Sequence, residues 1–519
     1  MPQWFHGTID GGSGQFSSGS GLAVAYARDS PKDGAYICRP AASFGTISGI
    51  PLYPKPAGRL RDVPGALPRY VEPDTNIPSG EALVRQLVFG KRFYRDELGI
   101  DSQVLWLPDT FGYSAVLPQL LAGCGVRYLV TQKIFWSYNE GDPFPYHYFN
   151  WRGMDGSQVV SFLPTNYTYR TDPKELCGVW KKRVQKRHLE DFLIPFGYGD
   201  GGGGPCRDHI EYALRERDLE GMPKVEMCSP LEFFEALQAK GGPQNTWDGE
   251  LYFNAHRGTY TTQASVKKNN RLSERALHHM ELWGALAARH GHPYDAEQAQ
   301  RLWKTLLLNQ FHDILPGSAI AWVHREARAD YARDIKRLEM IADSACAVLR
   351  CARPDAPVLE RARIAEYRVD GNAWRAVPAE PVVGTQVSLT HTATGGVILS
   401  NGFVETVIEP DGTVSSLKDV QAGRELVPDG MRLGSYELLK DEPSVWDAWE
   451  IERDAFLRYE TLVSGCIISA ETGDDEAYVV VRTKFGQSRI DTTITLRSEA
   501  KQLDFAAHVD WHERERFLK

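Results

Sequence analysis

Val104-Leu105-Trp106-Leu107-Pro108-Asp109-Thr110-Phe111-Gly112-Tyr113-Ser114 is the stretch on which the fold reading turns. The apolar run 104–107 is long enough for a short buried strand and too short for a helix. Pro108 ends the run, Asp109 follows, and Phe111-Gly112 supplies turn chemistry before a helix expected over 115–121. An Asp at the C-terminal end of a strand stands where α/β barrels place their reactive groups. It also suits the plainer role of capping the helix that begins near Ser114, and the stretch alone leaves both readings open.

Outward from this stretch, apolar runs alternate with amphipathic ones. A helix is expected over 80–98, with Ser79 as N-cap and Leu83, Leu87 and Phe93 near one face. Strands are expected at 128–131, 159–163 and 193–196, and a helix at 208–217. Strands alternating with helices imply parallel pairing, hence an α/β barrel or open sheet. From 272 to about 349 the pattern turns to long helices. Leu302, Trp303, Leu306, Leu307, Phe311, Ile314 and Leu315 recur at helical spacing, and Pro316-Gly317 is the expected stop. Beyond about 362 the pattern is β. Runs at 403–409 and 413–417 flank Pro410-Asp411-Gly412, a hairpin turn sequence, and strands are expected at 478–485, 490–496 and 503–511. Residues 1–67 differ: nine of the eleven residues 11–21 are Gly or Ser, and no helical or strand period persists, which suggests poor order or foreign sequence. The expected domains are 1–67 (atypical), 68–248 (α/β), 249–352 (helical) and 353–519 (β).

Composition narrows the function. With 42% apolar and 11% aromatic residues among 519, the chain can bury large cores. A net charge of −9 without a Lys/Arg-rich run speaks against a nucleic-acid partner. No apolar run is long enough to span a bilayer, and residues 1–10 lack the charged and apolar regions of a signal peptide. Eight cysteines without ligand spacing read as reduced thiols of a cytoplasmic protein.

Three further segments can carry chemistry. In Gly197-Tyr198-Gly199-Asp200-Gly201-Gly202-Gly203-Gly204-Pro205 the glycines satisfy a dinucleotide fingerprint formally, but no acid clearly ends the next strand and no Lys-Ser/Thr follows. Four consecutive glycines let backbone approach a ligand, with Asp200 free to face it; a plain surface turn is the competing reading. His312-Asp313, at the end of the apolar helix, is either a capping pair or a metal ligand with its neighbour. His256-Arg257-Gly258-Thr259-Tyr260-Thr261-Thr262-Gln263 is a polar and aromatic cluster suited to sugar hydroxyls, or a solvated loop.

Taken together these segments resemble glycoside hydrolase family 38, the zinc α-mannosidases, in the branch shared by bacterial and cytosolic or vacuolar enzymes. The resemblance rests on Val71-Glu72-Pro73-Asp74-Thr75-Asn76-Ile77-Pro78-Ser79-Gly80-Glu81, on 106–114, 197–205, 256–263 and 311–317, on Trp446-Asp447-Ala448-Trp449, and on Val509-Asp510-Trp511-His512-Glu513. They occur in family order over roughly 70–519. The resemblance implies a multidomain chain: a (β/α)7 barrel, here partial, then a three-helix domain, then a β-sandwich, incomplete at its end. It implies hydrolysis of terminal α-linked mannose from oligosaccharides by a retaining mechanism with one Zn2+ per chain. Asp109 would be nucleophile and zinc ligand, His312 a second ligand and Asp200 the acid/base. Asp313, Arg257, Tyr260 and Trp106 would contact substrate. Two further ligands belong to a His-x-Asp motif in the family; the nearest match here is His6-Gly7-Thr8-Ile9-Asp10, whose wider spacing still puts both side chains on one face of a strand. That departure leaves a catalytically impaired, carbohydrate-binding remnant as the alternative expectation. Neither a membrane nor a nucleic acid is an expected partner, and a homo-oligomer is compatible with the reading.

Overall fold

The structure is a computed structural model, which describes residues 23–28, 36–37, 70–135, 144–199, 204–352, 364–370, 373–378 and 386–519. For the strands at 23–28, 36–37, 364–370 and 373–378, and for residues 350–352, only the backbone is described. The chain forms two compact units, Met1–Pro354 with Ala448–Glu450, and Asp355–Asp447 with Ile451–Lys519. His6, Asp10 and Asp200 lie outside the described residues.

In the first unit the elements run β1 (Ala23–Arg28), β2 (Tyr36–Ile37), α1 (Gly80–Phe93), β3 (Val104–Trp106), α2 (Leu117–Gly123), β4 (Tyr128–Val130), β5 (Tyr148–Arg152), β6 (Gln158–Phe162), α3 (Pro173–Lys182), β7 (Asp191–Phe196), α4 (Arg207–Arg215), β8 (Lys224–Met227), α5 (Pro230–Ala239), β9 (Thr246–Asp248), α6 (Ala264–Ala288), α7 (Ala296–Asn309) and α8 (Ala321–Ala352). β3, β4 and β7 are buried at every position, as strands covered on both faces must be, and this is why they read as unbroken apolar runs. The strands form two sheets, ordered β3-β4-β6-β5-β9 and β2-β8-β1-β7. β3, β4 and β6 pair in parallel, as the alternation predicts, whereas β5 is antiparallel to β6. β1 lies between β7 and β8, antiparallel to both, so the described strands do not close into one parallel barrel. It falls in the segment where no strand period is read; its six residues are too short a run to show one, and it is held by backbone pairing on both sides.

Two local expectations shift. The helix from Ser79, whose hydroxyl accepts from the Ala82 N–H at 3.3 Å, is α-helical to Phe93 and then widens into a π-turn over Tyr94–Leu98, closed by Gly99 at φ 71°. More consequentially, α7 stops at Asn309, ahead of Pro316. The next backbone groups leave the helical ladder for a neighbour: Asp74 N–H donates to Gln310 O at 2.9 Å and His312 N–H to Glu72 O at 3.0 Å. Phe311 pairs with Pro73 in an isolated bridge and residues 312–317 form turns, with Ile314 and Leu315 still serving a common core. That core is shared by Val266, Leu277 and Met280 of α6, Trp303 and Leu306 of α7, and Ala327, Tyr331 and Leu338 of α8, the expected three-helix arrangement. No helix among the described residues is long and apolar enough to cross a membrane.

The second unit is β throughout its described strands. A five-stranded antiparallel sheet (388–425) and a four-stranded one (466–510) share one apolar core, with Leu399, Ile408 and Val414 from the first meeting Val479, Ile494 and Leu496 from the second. Alternating burial along Glu476–Phe485 and Ser488–Arg497 is the sandwich signature. The Pro410-Asp411-Gly412 turn joins Val404–Ile408 to Val414–Asp419 as expected, Gly412 N–H donating to Glu409 O at 2.8 Å.

Glu216, at the C-terminal end of α4, is 3% exposed, and neither carboxylate oxygen has a hydrogen-bond partner among the described residues. Burial, with repulsion from Asp172, pushes its pKa up to about 7. A folded-state pKa above the unfolded one means that the fold loses stability as pH rises from the ordinary glutamate range through 7. We expect Glu216→Gln to remove this dependence. Melting temperatures from pH 5 to 8 should fall for the native chain relative to the variant, by the equivalent of up to about 3 kcal/mol; parallel curves would show that Glu216 finds a charge partner.

Candidate active site

Asp109 stands in the loop beyond the C-terminal end of β3. The neighbouring parallel strand β4 ends at Val130, so Lys133 emerges on the same side. Its Nζ forms an ion pair and hydrogen bond with Asp109 Oδ1, the lysine side chain being 5% exposed and the aspartate 20%. Burial alone would push the Asp109 carboxyl up; the Lys133 ammonium and the His312 imidazole outweigh it and hold the group well below the usual carboxylate range. Asp109 is thus a permanently ionised carboxylate at neutral pH, suited to attack or to ligate a metal and unsuited to donate a proton.

The loop after Asp109 is stitched to residues 73–76. Thr75 Oγ1 donates to Gly112 O at 2.7 Å, Thr110 Oγ1 to Pro73 O at 3.3 Å, and Asn76 Nδ2 to Phe111 O at 3.3 Å. Gly112, at φ 105°, permits this approach, since a Cβ there would lie 3.2 Å from Asn76 Nδ2. Tyr260 closes the group, its hydroxyl donating to Phe111 O at 3.2 Å and accepting from Asn76 Nδ2 at 3.1 Å. Burial raises the Tyr260 phenol to about 12, so it stays protonated.

The turn that ends α7 brings in His312. Glu72 O accepts from both the His312 N–H and Nδ1, the latter at 2.9 Å. A carbonyl oxygen only accepts, so Nδ1 carries a proton and Nε2 is directed elsewhere. Nε2 lies 3.6 Å from Asp109 Oδ2, an ion-pair distance. Burial opposes charge on this ring, but the Asp109 carboxylate, with Asp313 and Glu72, overcomes it and raises the imidazole to about 9. The space between Nε2 and Oδ2 therefore favours a cation. Asp313 Oδ1 accepts from Ser318 Oγ at 2.6 Å.

The donor set suits zinc at two positions: Asp109 Oδ2 and His312 Nε2 converge, and His312 has its other nitrogen oriented by a carbonyl, as metal-binding histidines do. No group of three or more His, Cys, Asp or Glu able to hold a metal occurs among the described residues.

The structure thus brings together Asp109, His312 and Tyr260, with Asp313 beside His312. Trp106 is 5% exposed and packs into the apolar core with Tyr128 and Val130, because β3 is covered on both faces; it does not present an open surface to a substrate. The Arg257 side chain is exposed and makes no hydrogen bond or ion pair among the described residues. Tyr198 and Gly204 exchange reciprocal backbone hydrogen bonds, both 2.9 Å, just beyond the end of β7, and Asp200 itself lies outside the described residues. Sequence reasoning missed Lys133. Its signal was present, because a lysine three residues past a buried parallel strand emerges at the same sheet edge as Asp109. It also missed Phe111 as a hub, with Lys133 Nζ 5.5 Å from its ring centroid and the rings of His256 and His312 edge-on at 5.0 and 6.1 Å.

Comparison with known proteins places the chain in a family. Three family models match in order: the glycosyl hydrolases family 38 N-terminal domain over residues 58–250, the alpha mannosidase middle domain over 254–349 and the glycosyl hydrolases family 38 C-terminal domain over 399–519. The chain belongs to glycoside hydrolase family 38. It is 35% identical to the human Alpha-mannosidase 2C1 over 485 residues, covering 87% of this chain and 46% of that protein. It is 32% identical to an Alpha-mannosidase of Saccharomyces cerevisiae, covering 87% and 44%. The chain spans about half the length of the curated relatives it matches. A solved alpha-mannosidase from Enterococcus faecalis V583 has the same fold, with a TM-score of 0.67 at 16% identity over 87% of this chain and 66% of that one.

Lys133→Met leaves the Asp109 carboxylate largely buried without its ammonium partner. We expect a loss of about 3 kcal/mol in urea unfolding, mostly recovered in Lys133→Met/Asp109→Asn. Additive single losses would show that the two charges are not coupled.

Proposed function

We propose that the chain hydrolyses terminal α-linked mannose from oligosaccharides with retention of configuration, by a zinc-assisted mechanism. The observation that carries this reading is the Asp109 carboxylate, ionised between Lys133 and His312 at the C-terminal end of a buried strand. In this reading Asp109 attacks the anomeric carbon and forms a glycosyl–enzyme ester. A retaining glycosidase needs a second carboxyl group, protonated at the start, about 5–5.5 Å from the first. Asp109 is ionised and cannot supply that proton; Asp200, on the glycine-rich loop after β7, is the proposed donor to the leaving oxygen and the later base toward water. Asp109 and His312 would hold the zinc, with His6 and Asp10 as proposed further donors; when bound, the ion supplies Lewis acidity toward vicinal sugar hydroxyls. Lys133 balances Asp109 and restrains its Oδ1, leaving Oδ2 toward His312. Asp313, Tyr260 and Arg257 are the proposed contacts to sugar hydroxyls.

In the same reading, residues 68–248 are a partial (β/α)7 barrel, 249–352 a three-helix domain and 353–519 a β-sandwich domain, and the protein is cytoplasmic. The free cysteines among the described residues accord with that compartment.

The test is hydrolysis of an aryl α-mannoside by the purified 519-residue chain, with and without added zinc. Zinc-dependent release of phenol is expected, abolished in Asp109→Asn at temperatures where its circular dichroism shows the chain still folded. Asp200→Ala is expected to slow substrates with poor leaving groups far more than activated aryl glycosides. Residual native rates in Asp109→Asn would sink the nucleophile assignment. A folded chain that binds mannosides without turnover would instead be a sugar-binding remnant.

A further inference from the structure

The residues assembled above lie between Glu72 and Ser318. Two more come from much later in the sequence, in the segment Ala448–Glu450 that belongs to the same compact unit. Glu450 is 4% exposed, and its Oε1 accepts from the His256 backbone N–H at 2.8 Å and from His256 Nδ1 at 2.7 Å. Beside it, Trp449 O accepts from Gly258 N–H at 2.9 Å, and Trp449 Nε1–H donates to Asp313 Oδ1 at 3.3 Å. Only glycine fits at 258, since a Cβ there would lie 2.9 Å from Trp449 O and 3.2 Å from Glu450 O.

Two features of this contact are locally unfavourable. His256 has φ 59°, in the left-handed region that a histidine occupies at a cost. Glu450 Oε2 is buried with no hydrogen-bond partner among the described residues. A strained backbone conformation held by a buried carboxylate is a combination found where a particular geometry is needed. What the geometry serves is visible in the neighbours of His256. Its ring meets Phe111 edge-on at 5.0 Å and Phe253 at 5.1 Å, and Phe111 is the ring against which Lys133 and His312 pack.

We propose that Glu450 is a positioning residue of the active site. It holds His256 in the Nδ1–H tautomer and in its left-handed backbone conformation, and through the His256–Phe111 contact it sets Lys133 and His312 on either side of Asp109. Trp449, from the same segment, holds Asp313. The proposal rests on the mannosidase reading for its effect on turnover, and on the contacts alone for its effect on His256.

Two variants of the full chain test it. Glu450→Met keeps the volume and removes the acceptor; Glu450→Gln keeps an oxygen for both His256 bonds. Turnover of 4-nitrophenyl α-mannoside in excess zinc is measured together with melting temperature. The ring 15N signals of His256 are recorded in parallel and assigned with a His256→Gln variant. Glu450→Met is expected to lower kcat about 10- to 100-fold, as loss of an orienting partner does, with KM changed less than about 3-fold. Glu450→Gln is expected to restore kcat to within about 3-fold of the native value. The His256 ring should show the Nδ1–H tautomer in the native chain and in Glu450→Gln, and a mixture of tautomers in Glu450→Met. A purely structural role would lower the melting temperature and leave kcat of the folded protein and the tautomer unchanged, which overturns the proposal. Equal impairment of both variants also overturns it. If the native chain shows no turnover, the mannosidase reading falls by itself, and the tautomer in Glu450→Met decides whether Glu450 positions His256.

Discussion

The arrangement depends on one carbonyl. Glu72 O accepts two hydrogen bonds from the same residue, from the His312 backbone N–H and from Nδ1. The first ends the helical ladder at α7 and turns the chain; the second fixes the tautomer and aims Nε2 at Asp109. Buried backbone groups must find partners, and this pairing satisfies orphan groups at a helix C-terminus with groups of an extended segment. Lys267 reinforces the turn from the other side, donating to Leu315 O and Pro316 O at 3.1 Å each. Burial brings the Lys267 ammonium down to about 8, which is the cost of serving carbonyls away from water.

Around that turn the electrostatics has a consistent sense. Asp109 lies between an ammonium and an imidazole, and both partners hold it ionised against the pull of burial. The imidazole is raised in turn, so the pair retains a positive charge between Nε2 and Oδ2. A proton on Nε2 satisfies that demand. A carboxylate held ionised in this way does not donate a proton at neutral pH.

Much of the local architecture was legible in the residues. Ser79 caps α1, Pro410-Asp411-Gly412 makes its hairpin, and the unbroken apolar runs at β3, β4 and β7 are buried on both faces. Asp109 and His312 were readable as candidates, because a carboxylate just past a strand stands where barrels place reactive groups and an adjacent His-Asp pair can ligate, but each suited a capping role equally by local rules. Less legible were the end of α7, where the periodicity of Phe311, Ile314 and Leu315 continues although the helix does not, and Trp106, whose aromatic surface turns out to serve the core. Periodicity records which residues are buried, and a turn packed into a core buries its apolar residues as a helix would.

The sequence by itself determined many of the elements and the family, since strand and helix periods, caps and turn chemistry act within a few residues. Only the tertiary structure decided the partners: Lys133 for Asp109, Glu72 for His312, Glu450 for His256. Those pairs are separated by 24, 240 and 194 residues. No local rule selects among the many lysines, carbonyls and glutamates of the chain. The choice is made by parallel pairing of β3 with β4, by the turn beyond α7, and by a glycine that admits a distant backbone, each of which exists only once the chain has packed.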